Sequence, residues 1–235
     1  MTFNKDLFLE NMKALNIEIS DGKIELLDKF AEKLIETNKV MNLTAILDED
    51  GIAVKHFADS LSVLKADIKE NAKVMDLGCG AGFPGIPLLI ARNDIDLTFV
   101  DSTAKKLGFV KDAVEYLNLS AEVVHSRAEE LGHNPEYREK YDFVVSRAVA
   151  ALNVLCEYCL PFVKIGGKFI AMKGTLADEE IKQSGNALRI LGGKITDKID
   201  FELSDGKRSI IIIEKIAETN SKYPRPSAQI AKKKL

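Results

Sequence analysis

The stretch most able to do chemistry is Asp76-Leu-Gly-Cys-Gly-Ala-Gly-Phe-Pro-Gly85, a carboxylate followed by glycines at 78, 80 and 82. Glycines there let the backbone turn sharply and approach a ligand without side-chain collision. Gly80, Gly82 and Gly85 also fit the spacing of a dinucleotide-binding turn. Charge separates the two readings. A pyrophosphate at the helix start is anionic, and a carboxylate at the neighbouring strand end would repel it. S-adenosylmethionine instead carries a sulfonium and an ammonium, which Asp76 would attract. The glycines alone discriminate little, because glycine turns are also common as purely structural features.

Further candidates lie at the ends of later β-rich runs. Asp101, 25 residues beyond Asp76, could accept hydrogen bonds from both hydroxyls of a ribose. Its alternative role is to cap the next helix, which Ser102 could do instead; Ser102 is also a candidate cofactor contact. Ala128 and Glu129 follow the third run, where an adenine edge would rest, although a solvated helix residue is the commoner reason for a lone glutamate. Arg147, in Ser146-Arg-Ala148, ends the fourth run, where the reacting centre is expected. Neither an Asn/Asp-Pro-Pro-aromatic run, used to methylate exocyclic amines, nor a cysteine nucleophile stands at 146–149. Cys79 is poorly placed to be that nucleophile. The acceptor expected is therefore one that needs no activation. Guanine N7 has a free lone pair and no proton to lose, so catalysis would rest on alignment without an essential general base.

Short β-rich runs alternating with helical stretches must position these residues. Strands are expected near 73–77, 97–101, 121–125, 141–146 and 167–172. Helices should open at Pro84, after Ser102, near 127–131 and over 151–160. Then come a helix at 176–190 and strands near 194–203 and 208–214, made antiparallel by the short turn Ser204-Asp-Gly206. This pattern predicts an α/β fold with a doubly wound, mostly parallel seven-stranded sheet, the S-adenosylmethionine-dependent methyltransferase fold. Before it, Phe3, Leu7, Phe8, Met12 and Leu15 recur at helical spacing, as do Ile24, Leu27, Phe30, Leu34 and Ile35 behind Ser20, a candidate cap. A third stretch, Ile52 to Leu64, carries Phe57, Leu61 and Leu64. The organisation expected is an N-terminal helical extension (1–70), a cofactor-binding domain (71–216) and a basic tail (217–235).

Composition narrows the class. The chain has 235 residues, 46% hydrophobic and 29% charged, ordinary for a globular protein. No apolar run approaches the roughly 18 residues of a membrane span, and no secretory signal opens the chain, so a cytoplasmic location is expected. Three cysteines make no disulfide framework. Cys156 and Cys159 fall in an apolar helix without a second pair, so they read as core side chains and no metal is expected.

Taken together, these pieces closely resemble the bacterial 16S rRNA guanine-N7 methyltransferases, the glucose-inhibited division protein B family. The matching segments are Met41-Asn-Leu-Thr44, His56-Phe-Ala-Asp-Ser-Leu61, the run from Asp76 to Pro87, Val100-Asp-Ser102, Ser126-Arg-Ala-Glu-Glu130, Val145-Ser-Arg-Ala148, Lys173-Gly174 and Tyr223-Pro-Arg225. The resemblance implies cofactor contacts at Gly78, Phe83, Ala128, Glu129 and Arg147. It also implies methyl transfer to N7 of a guanine in the decoding-region loop of 16S rRNA, met as rRNA or as a small-subunit assembly intermediate. Asn42, Thr44, His56 and Lys173 become candidate RNA contacts on the same ground; by themselves, Asn42 and Thr44 could cap the next helix and His56 could be structural. Two departures stand out: the chain has no tryptophan, and Pro226-Ser-Ala-Gln229 replaces the Gly-Thr-Pro usual after Tyr-Pro-Arg.

Charge is uneven. Residues 222–235 hold five basic side chains and no acidic one, leaving 28 Lys and Arg against 36 Asp and Glu in the rest, a net of −8. A disordered, solubilising end would explain this, but an acidic protein must meet a polyanion somewhere, and Tyr223 beside Arg225 offers stacking as well as charge. A small-molecule methyltransferase would share residues 73–214 and use the N-terminal helices as a lid. A dinucleotide oxidoreductase is opposed by Asp76, and a non-catalytic cofactor-binding module has no feature in its favour.

Overall fold

The computed structural model describes residues 1–235. The seven strands β1 (Lys73–Leu77), β2 (Asp96–Asp101), β3 (Glu122–His125), β4 (Tyr141–Arg147), β5 (Val163–Lys173), β6 (Gly193–Leu203) and β7 (Gly206–Lys215) form one sheet in the order β3-β2-β1-β4-β5-β7-β6. Pairings from β3 through β5 are parallel, and those of β7 with β5 and β6 are antiparallel. The strand order reverses between β1 and β4. The carboxyl ends flanking such a reversal are where open α/β sheets bind ligands.

Alternation along β1 divides the core: Val74 joins a cluster of 45 buried residues on one face, while Met75 and Leu77 join one of 22 on the other. Helices α5 (Gly85–Ala91) and α6 (Ala104–Tyr116) cover the first face; α8 (Leu152–Cys159) and α9 (Ala177–Leu191) cover the second. Cys156 and Cys159 are buried free thiols in the second cluster, and no group of three or more His, Cys, Asp or Glu side chains is arranged to hold a metal. No helix is long and apolar enough to cross a membrane.

The N-terminal helices α1 (Lys5–Leu15) and α2 (Asp21–Asn38) share the larger cluster with the sheet. Their joint is aromatic. Phe57 meets Phe3 edge-on at 5.0 Å and 88°, with Phe8 and Phe30 beside it. Each buried phenylalanine contributes about 1.5–3 kcal/mol of apolar transfer energy. The third stretch is not a plain α-helix. It runs from α3 (Glu49–Gly51) through a π-helical turn (Ile52–Ala58) and α4 (Asp59–Leu61) into a 3-10 turn (Ser62–Ala66).

Several local expectations need correction. Ser20 occupies the N-cap of α2, but its hydroxyl makes no cap bond; its carbonyl accepts from Lys23 N and Ile24 N instead. Asn42 and Thr44 do not cap the next helix, because Asp48 does so, accepting from Gly51 N at 2.7 Å. Nor does Ser102 cap α6: Thr103 is the N-cap, and the Asp101 carboxylate accepts from Thr103 N. Strand β5 begins at Val163, earlier than 167, because a register shift against β4 absorbs Gly166 (φ +81°) and lets pairing resume at Lys168. Finally, the end of the chain packs on the body: Tyr223 and Ile230 are buried, and a short α10 (Ser227–Lys232) follows.

Candidate cofactor and active site

Strand β1 delivers Asp76 into the apolar face beneath α5, fully buried. Its Oδ2 accepts from Gly85 N at 2.8 Å, and a Cβ at Gly85 would stand 2.6 Å from that same oxygen, so glycine is required for this seat. Oδ1 is buried without a partner. Desolvation pushes the Asp76 carboxyl up to about 7, opposed by the Gly85 hydrogen bond and by the positive charge of Arg147. Gly78 leaves the strand at φ +77° and donates to Val100 O at 2.8 Å; a Cβ there would strike Val149. Gly80 N donates to Asp101 Oδ2 at 2.9 Å, which ties the loop to the end of β2.

A cavity of about 260 Å³ opens beyond this loop at the carboxyl ends of β1, β2 and β3. Gly78, Asp101, Ser102, Ala128 and Glu129 all line it, with Tyr158 of α8 closing one side. The Glu129 side chain is 13% exposed, with Arg127 Nη1 3.9 Å from its Oε1. Asp101 spends one oxygen on Gly80 N and the other on Thr103 N. Each carboxylate oxygen has a second lone pair free for ribose hydroxyls. Cys79 is buried, and burial together with the nearby Asp76 and Asp101 holds its thiol well above the ordinary range, so it is not a nucleophile.

Arg147, Phe83, His56 and Thr44 come together beside the cavity rather than in its wall. Arg147 donates to Lys55 O and Asp59 Oδ2, both at 2.8 Å, and its guanidinium lies 5.3 Å from the centroid of the Phe83 ring. His56 is stacked with the same Phe83 ring at 4.3 Å and 11°. His56 Nε2 meets Thr44 Oγ1 at 3.0 Å, while Nδ1 is buried without a partner. Burial first, then the charge of Arg147, lowers the imidazole to about 4. Buried, paired and neutral, His56 cannot offer a charge to RNA, and Thr44 is spent on His56 and on Ile46 N. Asn42 alone of the three is exposed.

A second cavity, about 390 Å³, adjoins the first through Val149 and is lined by Asp59, Arg147, Met172, Lys173, Glu180 and Arg208 among others. Lys173 is 7% exposed, donating to Ala150 O and paired with Glu180 at 2.8 Å. Tyr223 and Arg225 correct the expectation that the tail stacks on RNA: the Tyr223 ring is buried in the second core cluster, and Arg225 is held by Glu157 at 2.6 Å. Residues that sequence reasoning missed are Asp59, Val149, Tyr158, Ser227 and Arg208. Asp59 lay within His56-Phe-Ala-Asp, one helical turn from the histidine; the others carried no local signal.

Comparisons with known proteins identify the fold and the family. A crystal structure of TrmN from Thermus thermophilus superposes with TM-score 0.53 at 16% identity, over 68% of this chain and 48% of that one. Geranyl diphosphate C-methyltransferase from Streptomyces coelicolor, solved with S-adenosyl-L-homocysteine, gives 0.54 at 11% identity over 68% and 79% of the two chains. Both show the fold. At the sequence level, ribosomal RNA small subunit methyltransferase G of Alkaliphilus oremlandii is 46% identical, covering 98% of each chain. Its counterpart in Acetivibrio thermocellus is also 46% identical, over 98% of this chain and 96% of that one. A GidB family model, described as rRNA small subunit methyltransferase G, matches residues 23–210. The chain belongs to the rRNA small subunit methyltransferase G family.

Proposed function

We propose that this enzyme transfers a methyl group from S-adenosylmethionine to N7 of a guanine in 16S rRNA, presented as rRNA or as a small-subunit assembly intermediate in the cytoplasm. The observation that carries the reading is the pair of adjoining cavities at the sheet reversal, one lined by Asp101 and Glu129, the other reaching Arg147. When bound, S-adenosylmethionine supplies an electrophilic methyl on a sulfonium.

The residues fit that cofactor. Asp101 has lone pairs for two ribose hydroxyls, and Ser102, Ala128 and Glu129 supply polar groups for an adenine. Gly78 and Gly80 let the backbone come close, and Asp76, buried beneath the loop and outside the cavity lining, would favour a cationic ligand group by its charge when ionised. Phe83, stacked with His56 and 5.3 Å from the Arg147 guanidinium, helps hold the arginine at the end of β4. In this reading Arg147 orients the target nucleotide in the second cavity, and Lys173, tied to Glu180, shapes that cavity's wall. No group is required to take a proton, because N7 gives none up, so the contribution of the protein is alignment and exclusion of water.

The direct experiment is transfer of labelled methyl onto bacterial small-subunit RNA, followed by mapping of the modified base. Label at a guanine N7 is expected. Label confined to protein or small metabolites would refute the reading.

A further inference from the structure

The chain beyond β7 is fastened to both sides of the cofactor cavity. On one side stands Glu157 of α8, whose side chain is 1% exposed. Its Oε1 accepts from Arg225 N at 2.9 Å and Arg225 Nε at 2.7 Å, and Oε2 from a terminal guanidinium nitrogen at 2.6 Å. On the other side is the end of α7 (Ala128–Leu131). Arg138 donates there to Gly132 O at 2.6 Å, and the same guanidinium donates to Tyr223 O at 2.8 Å and Thr219 O at 2.6 Å. His133 Nε2 meets Pro224 O at 2.8 Å. Between these clasps Tyr223 is buried, and beyond them Ile230 is anchored at 1% exposure.

A solubilising end has no use for this construction. A carboxylate as buried as Glu157 is costly unless paired, and only the C-terminal segment supplies its hydrogen-bond partners. The two body elements so joined, α7 and α8, are those that bring Ala128, Glu129, Leu155 and Tyr158 to the cavity. Ser227 lines that same cavity with them.

We propose that the segment 219–230 is a fixed wall of the cofactor site, with Ser227 setting the room available at the end lined by Ala128 and Glu129. Glu157, Arg225 and Arg138 are positioning residues that hold this wall. The proposal rests on the reading that S-adenosylmethionine occupies this cavity. It also gives the departure at Pro226-Ser-Ala-Gln229 a consequence, since the altered residues include Ser227, which lines the cavity.

The test measures S-adenosylmethionine binding to the full chain by calorimetry, together with KM and kcat for methyl transfer. Ser227→Tyr should raise Kd and the cofactor KM about tenfold or more while kcat at saturation stays within about twofold. Glu115→Tyr, on the exposed face of α6 and outside the cavity lining, should bind as the parent does. Glu157→Gln, which keeps the volume but removes the charge holding Arg225, should raise Kd at least about threefold and quicken hydrogen exchange across 219–230. This second variant decides the matter if Ser227→Tyr does not fold. Parental Kd in a folded Ser227→Tyr chain, or in Glu157→Gln, overturns the proposal. Failure of the parent chain itself to bind S-adenosylmethionine would overturn the cofactor reading, and the proposal with it.

Discussion

Arg147 and Asp59 form an ion pair at 2.8 Å, each side chain 14% exposed, and Asp59 shares its other oxygen with Arg208 Nε at 3.2 Å. One carboxylate thus holds two arginines side by side at the rim of the second cavity. Without it, two guanidinium groups would repel each other at short range.

Asp59→Asn should therefore lower kcat/KM for methyl transfer by about 10- to 100-fold, equivalent to roughly 1.4–2.7 kcal/mol of lost alignment. Cofactor Kd should change little, because Asp59 does not line the first cavity. Arg147→Ala should lose at least as much activity. Full kcat/KM in either folded variant would remove Arg147 from the site.

Cofactor affinity should rise with pH through neutrality. With Asp76 pushed up to about 7, the carboxyl is largely protonated at pH 6 in the free protein and must ionise to favour a cationic ligand. Calorimetry at pH 6 in buffers of different ionisation enthalpy should show a proton released on binding. Asp76→Asn should weaken binding at pH 8 and flatten the profile. A proton taken up instead would contradict this assignment.

Two buried groups pull acid stability in opposite directions. His56, lowered to about 4, favours the folded state above its ordinary value near 6.5, and that contribution is lost as pH falls from about 6.5 towards 4. Asp76, raised to about 7, does the reverse: its contribution is present below about 4 and lost as pH rises towards 7. Urea unfolding of His56→Gln should therefore show a shallower loss on acidification than the parent, by on the order of 2 kcal/mol at pH 4.5. Asp76→Asn should steepen it. Identical pH slopes in parent and His56→Gln would exclude the histidine as the source.

The exposed lysines remain available to a polyanion. Lys232, Lys233 and Lys234 are exposed beyond the buried anchor Ile230. Replacing all three with alanine should flatten the slope of log K against log salt for RNA binding by up to about 2, at roughly 0.7 for each lost phosphate contact. Cofactor binding should be unaffected. An unchanged slope would turn the search to exposed basic groups at the cavity rim.

What the sequence by itself determined is whatever depends on near neighbours along the chain. The β-rich run at 73–77, the glycines after it and the acidic residue closing the second strand are local patterns, so the strands, the glycine turn and the places of Asp76, Gly78, Asp101 and Glu129 were legible without coordinates. The motif could also be told from a dinucleotide site, because charge is a property of residue type. Tertiary structure alone decided which candidates are free to act. His56, Thr44, Lys173, Tyr223 and Arg225 look alike in sequence whether they face RNA or each other, and the fold spends them on partners 12, 7 and 68 residues away for Thr44, Lys173 and Arg225. Asp59 gained its importance the same way, from arginines 88 and 149 residues further on. Burial and long-range pairing are set by how the layers close over one another, and no spacing within a single element records that.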